Sequence, residues 1–257
     1  MSADSFFRSL FVGDSGTGKT GALLSLIEAG YKIKMLDMDG GAETLVQLIK
    51  HNCPERLDQF DYIVLRDKFQ AHPSKGLSLK GPARAYPQAL KYLTKWDDDA
   101  SPAEWGHDTV FCLDTLSSFG RSSFLWAQSL NPSAKDPRQW YGAAQDSVRT
   151  VLDLLTSQEF KTNVLINSHL QFESDASTKK QVTAIGKALG GDIPKVFNNL
   201  LLASKSGTGD NVKRQIETRP TAEVDAKTVA PWLFDKKLPL ETGLATIFAA
   251  FEKTKDK

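Results

Sequence analysis

Residues Gly13 to Thr20 read G-D-S-G-T-G-K-T and satisfy the pattern G-x-x-x-x-G-K-[ST] at every fixed position. No other stretch of the 257-residue chain restricts its fold so severely. The pattern needs a strand before it and a helix after it, and both are legible. Phe6 to Val12 is an apolar run broken only by Arg8 and Ser9, whereas Ala22, Leu23, Leu26 and Ile27 recur at helical spacing before Gly30 offers a stop. Glycines let such a loop curl until its N–H groups point inward at phosphate oxygens, and the following helix adds its positive end. Gly13, Asp14, Ser15, Gly16, Thr17, Gly18, Lys19 and Thr20 are therefore predicted to cradle a nucleotide. Lys19 would hold the β- and γ-phosphates and the Thr20 hydroxyl would ligate Mg²⁺.

Beyond the loop, β and α patterns alternate. Strands are predicted at Ile33 to Met38, Tyr62 to Leu65, Thr109 to Leu113, Asn163 to Asn167, Leu200 to Ala203 and Lys213 to Thr218. Helices are predicted at Glu43 to Lys50, Gln88 to Trp96, Gly142 to Ser157 and Thr242 to Lys253. The continuous apolar run ending at Asp114 suits a parallel strand buried on both faces. This is an α/β pattern, expected to form a single domain over 1–257 with long loops near 66–87 and 171–195. With 40% hydrophobic residues the chain can bury a sizeable core. A net charge of +1 does not advertise nucleic-acid binding by the chain as a whole, although a local basic patch is compatible with it. Cys53 and Cys112 are too few for a disulfide framework and read as reduced thiols. The start of the chain lacks a secretory pattern and no apolar stretch reaches membrane-spanning length, so a cytosolic protein is expected.

Three carboxylates and a histidine fall where strands end. Asp114 closes the apolar strand Val110 to Leu113 and would hold the metal through water. Thr115, Ser117 and Ser118 behind it could contact water or phosphate, or equally form a turn. Of Asp37 and Asp39, only one is expected to face the nucleotide. Asp39 is the candidate for orienting an attacking water, with Glu43 in reserve; an ordinary Asp-Gly turn explains the same residues. His169 follows the strand Asn163 to Asn167 and could sense the γ-phosphate, or be a satisfied surface group. Four scattered histidines give no zinc pattern.

Taken in order, these residues resemble the RecA-like branch of P-loop ATPases, and specifically phage-encoded nucleotide-binding proteins with a reduced RecA core. The resemblance runs through Gly13 to Thr20, Lys34 to Gly41, the strand ending at Asp114, Gln139 to Gly142, Val164 to His169, Gly186 to Leu189 and Ile193 to Phe197. It implies a mostly parallel central sheet flanked by helices with antiparallel late strands, binding ATP and Mg²⁺. At the position of Asp39 that branch commonly carries glutamate, so the carboxylate here is one methylene shorter. The resemblance also implies two regions facing single-stranded DNA, around Gly120 to Trp140 and Gln171 to Lys195. Lys179, Lys180, Lys187 and Lys195 would contact phosphates in the second, and Trp126, Trp140 and Tyr141 could stack on bases near the first. A solvated loop and ordinary packing explain the same residues. Such proteins often form homo-oligomers in which a neighbour supplies a cation, and Lys205, Arg214 and Arg219 lie in the corresponding region. By the same resemblance the partners would include a phage replication or single-strand-binding protein, in the cytoplasm of an infected bacterial host.

Two other classes compete. A P-loop ATPase switch or assembly factor acting on a protein partner agrees better with the near-neutral charge. A small-molecule kinase would need an acceptor site and a lid; Arg66 to Pro87 could serve as the lid, but no acceptor signature is present. No guanine-reading Asn/Thr-Lys-x-Asp motif is evident, which leaves ATP as the expected nucleotide.

Overall fold

In the computed structural model, residues 5–74, 76–186 and 188–255 are described. In chain order the elements are β1 (Arg8–Val12), α1 (Lys19–Ala22), α2 (Leu24–Glu28), β2 (Lys32–Asp37), α3 (Ala42–Asn52), β3 (Phe60–Val64), β4 (Phe69–His72), β5 (Gly76–Leu79), α4 (Ala85–Thr94), β6 (Gly106–Asp114), α5 (Leu116–Leu130), α6 (Arg138–Thr156), β7 (Thr162–Ser168), β8 (Leu170–Phe172), β9 (Lys180–Val182), β10 (Asn199–Ser206), β11 (Lys213–Glu217), β12 (Lys237–Pro239) and α7 (Leu240–Lys255).

Eight strands share one sheet in the order β12-β11-β10-β1-β7-β6-β2-β3. Every pairing from β10 to β3 is parallel, while β11 and β12 are antiparallel. This is the mostly parallel α/β architecture expected from the sequence, antiparallel late strands included. Strand β7 separates β1 from β6, and in register Asn167 faces Phe11 on one side and Asp114 on the other. The carboxyl ends of the parallel strands therefore meet at one edge, where ligands of open α/β sheets bind.

Alternation along the strands explains why helices cover both faces. Leu10, Val12, Phe111, Leu113, Val164 and Ile166 point one way, into a core shared with α4, α5 and α6. Phe7, Phe11, Val110, Cys112 and Leu165 point the other way, against α2, α3 and α7. Phe248 of α7 packs on Phe7 with ring centroids 4.1 Å apart and the rings tilted by 42°, and both are fully buried. Burying a side chain of this size contributes roughly 1.5–3 kcal/mol. Arg8 of β1 sets a charge among these apolar positions. It is buried and donates to the carbonyls of Phe7, Thr162, Phe160 and Ser157. Loss of water lowers its pKa to about 10.

Three segments differ from the sequence reading. The stretch near 66–87 contains an exposed hairpin, β4 with β5. The stretch 171–195 contributes β9, paired with β8, and a 3₁₀ turn at Ile193–Val196. Most of the expected DNA-facing region Gly120 to Trp140 is helix: α5 runs to Leu130 and packs through Leu116, Phe119, Ser123 and Ala127. Only 131–137 remains between it and α6. Cys53 and Cys112 are free and buried. No helix among the described residues is long and apolar enough to cross a membrane.

Candidate active site

The glycine-rich loop leaves β1 at the sheet edge and turns directly into α1. Gly16 and Gly18 adopt left-handed backbone angles, φ 75° and 89°, that other residues rarely take. Gly13 is needed for a different reason: a Cβ there would fall 2.5 Å from the Ala203 carbonyl oxygen. Lys19 folds back over the loop and donates from Nζ to the carbonyls of Gly13 at 2.8 Å and Asp14 at 3.2 Å. Burial lowers its pKa, opposed by the charges of Asp114, Asp14 and Asp39. Among the described residues Lys19 forms no direct ion pair, so a buried cation faces an open cleft of about 840 Å³. A polyphosphate fits that arrangement.

Thr20, in the first turn of α1, donates to Asp114 Oδ2 at 2.6 Å. Gly41 closes over the pair, because a Cβ on it would lie 2.9 Å from Asp114 Oδ2 and 3.0 Å from Thr20 Oγ1. Burial raises the pKa of Asp114, with the Thr20 hydroxyl pulling the other way. A metal ion would relieve that cost. One hydroxyl and one carboxylate do not make a complete site for a metal; they suit Mg²⁺, which keeps several waters and takes its other ligands from phosphates.

Asp37 and Asp39 have separate tasks. Strand β2 ends at Asp37, whose Oδ1 accepts from the N–H groups of Asp39, Gly40 and Gly41 while Oδ2 accepts from Ala42. It builds the turn that leads into α3. Asp39 lies in that turn, lines the cleft, and accepts from Thr115 Oγ1 at 2.8 Å and from Ser118 Oγ. Glu43 is exposed on α3 and bonded to Gln47, away from the cleft lining.

His169 also lines the cleft. Burial and the Lys19 charge lower its pKa, opposed by Asp39 and Asp14. Ser117 Oγ sits 3.2 Å from His169 Nδ1 and donates to the Thr183 carbonyl at 3.2 Å. The Thr183 N–H in turn donates to the His169 carbonyl at 2.8 Å. The cleft is thereby hydrogen-bonded to the end of the β8–β9 hairpin. Thr115, Ser117 and Ser118 look alike in the sequence, and only their long-range partners separate their tasks.

The remaining basic residues are dispersed. Lys180 pairs with Asp14 of the loop at 3.0 Å and Glu223 at 3.5 Å. Lys195 pairs with Asp192 at 2.6 Å, and Lys179 is exposed. Lys187 lies outside the described residues. Lys205 and Arg214 are partners across β10 and β11 beside the chain's own loop; Arg214 Nε donates to the Gly16 carbonyl at 3.4 Å and lines the cleft. Arg219 is not brought there: its guanidinium donates to Thr218, Thr228 and the Pro231 carbonyl. Trp126, on α5, packs on the core, Trp140 Nε1 donates to the Asn131 carbonyl at 2.8 Å, and Tyr141 packs on Phe124.

Sheet order, loop and strand-end carboxylate together define a P-loop NTPase. The chain matches AAA_24, the AAA domain, over residues 6–229, and belongs to that family. Among solved structures it is similar to the RadB recombinase, with 15% identity, 81% of this chain and 80% of that one covered, and a TM-score of 0.45. It is also similar to the KaiC-like protein PH0186 from Pyrococcus horikoshii OT3, at 12% identity, 91% and 86% coverage and a TM-score of 0.46. A third similarity is to the flagellar accessory protein FlaH from Methanocaldococcus jannaschii, at 10% identity, 91% and 85% coverage and a TM-score of 0.43. No curated protein matches the sequence.

Proposed function

We propose that this chain binds ATP with Mg²⁺ and hydrolyses it, and that as a homo-oligomer it couples turnover to single-stranded DNA in phage recombination, annealing or replication. The observation that carries the hydrolysis is the restraint on Asp39, whose carboxylate is held by Thr115 and Ser118 in the same cleft as Lys19, Thr20 and Asp114. A carboxylate fixed from behind keeps acceptor capacity toward the cleft, where it can orient a water. Lys19 and the loop N–H groups bind and align the phosphates, while Thr20 and Asp114 hold Mg²⁺, which when bound neutralises charge on the phosphates. The Ser117–His169–Thr183 contacts support a path from the cleft to the β8–β9 hairpin.

A second reading, an ATPase switch acting on a protein partner, draws on the pairing of Lys180 and Lys195 with carboxylates of the same chain. ATP turnover by wild type and Lys19→Ala, each with and without single-stranded DNA, tests the proposal. DNA-stimulated turnover lost in the variant is expected. Absence of any wild-type turnover refutes hydrolysis, and turnover indifferent to DNA at low salt refutes the DNA reading and leaves the protein partner.

A further inference from the structure

The β4–β5 hairpin concentrates the chain's positive charge. Residues 66–84 carry Arg66, Lys68, Lys75, Lys80 and Arg84 against one acid, Asp67, whereas the whole chain has 32 lysines and arginines against 31 acids. The remainder is therefore net acidic. Asp67 does not neutralise its neighbours by an ion pair: Oδ1 accepts from the backbone N–H groups of Arg84 at 2.7 Å and Ala85 at 3.1 Å, closing the hairpin's base onto α4. Arg66, Lys68, Lys80 and Arg84 are all exposed, and none forms an ion pair among the described residues.

The hairpin is also two-faced. Register pairs Phe69 with Leu79 and Ala71 with Leu77, placing these four on one face, with Phe69 48% and Leu77 79% exposed. Gln70, His72 and Ser78 occupy the other, and the Lys80 N–H to Lys68 carbonyl bond extends the ladder by one pair, which alternation places on that second face at the base of the hairpin, one residue from Phe69 and Leu79. A two-stranded hairpin gains little stability from holding an aromatic and a leucine in water. Arg121 of α5 stands over the Phe69 ring at 5.9 Å and adds another cation to that side.

We propose that the β4–β5 hairpin is a binding surface for a single-stranded nucleic acid, with Lys68, Lys80, Arg66 and Arg84 on its phosphates and Phe69 stacked on a base. Exposed cations at the base of the hairpin, with an exposed aromatic on its other face and Arg121 beside it, match an unpaired polynucleotide that crosses the base edge, since it offers a negative backbone and free π-faces together. The base of the hairpin also touches the nucleotide cleft. A Cβ on Gly40, next to Asp39, would fall 2.5 Å from Arg66 Nη2, so the guanidinium covers the turn that presents the water-orienting carboxylate. The inference rests on the DNA-directed reading above but places the contact on the insert after β3 instead of the stretch 171–195.

Fluorescence anisotropy of a labelled single-stranded oligonucleotide, with the full chain and a non-hydrolysable ATP analogue, tests this across a salt series. Lys68→Ala/Lys80→Ala is expected to weaken binding at low salt and to reduce the slope of log K against log salt by about 1.4, near 0.7 per lost phosphate contact. Phe69→Ala is expected to weaken binding roughly 10-fold with little change in slope. Lys179→Ala/Lys195→Ala should retain wild-type affinity and slope, and an unchanged melting temperature confirms that each variant is folded. If the hairpin variants bind as wild type does while the Lys179/Lys195 variant loses affinity, the placement is wrong and the DNA reading stands. If wild type itself has no affinity at low salt, both fall. Loss of binding to poly-glutamate with DNA binding intact would make the hairpin a protein-docking element and overturn the proposal.

Discussion

Replacing Gly41 by alanine separates folding from chemistry. Gly41 has φ −75° and ψ −23°, a conformation alanine adopts freely, so the backbone itself does not oppose the change and the unfolded-state gain of roughly 0.4–1 kcal/mol is set against the local clash alone. The new methyl would nevertheless meet Asp114 Oδ2 at 2.9 Å and Thr20 Oγ1 at 3.0 Å. Close carbon-to-oxygen contacts settle near ~3.3 Å, so the two groups must part from the methyl by about 0.4 Å. Mg²⁺ demands near-octahedral geometry at about 2.0–2.1 Å and does not absorb that displacement. Turnover should fall roughly 10- to 100-fold, equivalent to about 1.4–2.7 kcal/mol in the barrier, with more Mg²⁺ needed for half-maximal rate. The assay is phosphate release against Mg²⁺ concentration, run beside a thermal melt. Gly142→Ala on α6 serves as the control, since nothing lies within 4 Å of its Cβ; it should gain about 0.5–1 kcal/mol with turnover unchanged. A Gly41→Ala enzyme with wild-type rate and Mg²⁺ dependence would show that Thr20 and Asp114 do not organise the metal.

Asp114→Asn should melt at a higher temperature than nucleotide-free wild type at pH 7 while losing Mg²⁺-dependent turnover. Burial holds the folded pKa of Asp114 above the unfolded value near 3.8, so stability falls as pH rises through that interval, and the variant's advantage should disappear below pH 3.8. An unchanged or lower melting point at pH 7 would contradict this. Arg8→Met should lower stability by about 2 kcal/mol in urea titration, because the carbonyls of Thr162 and Phe160 lose their buried donor. Equal urea midpoints would show that those contacts contribute nothing net.

Features carried by local spacing were legible in the sequence. The loop, the apolar strands and the Asp114 position need only neighbouring residues to be recognised. Helix α5 was not legible, because Ser117, Ser118, Ser122, Ser123 and Ser129 dilute its apolar stripe; Ser123 is buried by donating to the Ala144 carbonyl across the helix pair. The β4–β5 and β8–β9 hairpins escaped for a related reason: short strands bordered by lysine and serine show no clear alternation. Asp37 and Asp39 look equivalent in sequence, and differ only because one collects four backbone N–H groups of its own turn while the other meets hydroxyls 76 and 79 positions away. Likewise nothing local announces that Lys180 returns to Asp14 or that Arg219 is taken up by the Pro231 carbonyl.

The role of Asp39 is tested most directly by single-turnover ATP hydrolysis in wild type and Asp39→Asn, with nucleotide affinity measured on the same preparations. Asparagine keeps the size and the hydroxyl partners but removes the charge that orients a water, so affinity should stay within about 2-fold while the rate falls at least ~100-fold. A wild-type rate in Asp39→Asn, or a loss confined to affinity, would contradict the assignment of Asp39 as the group that positions the attacking water.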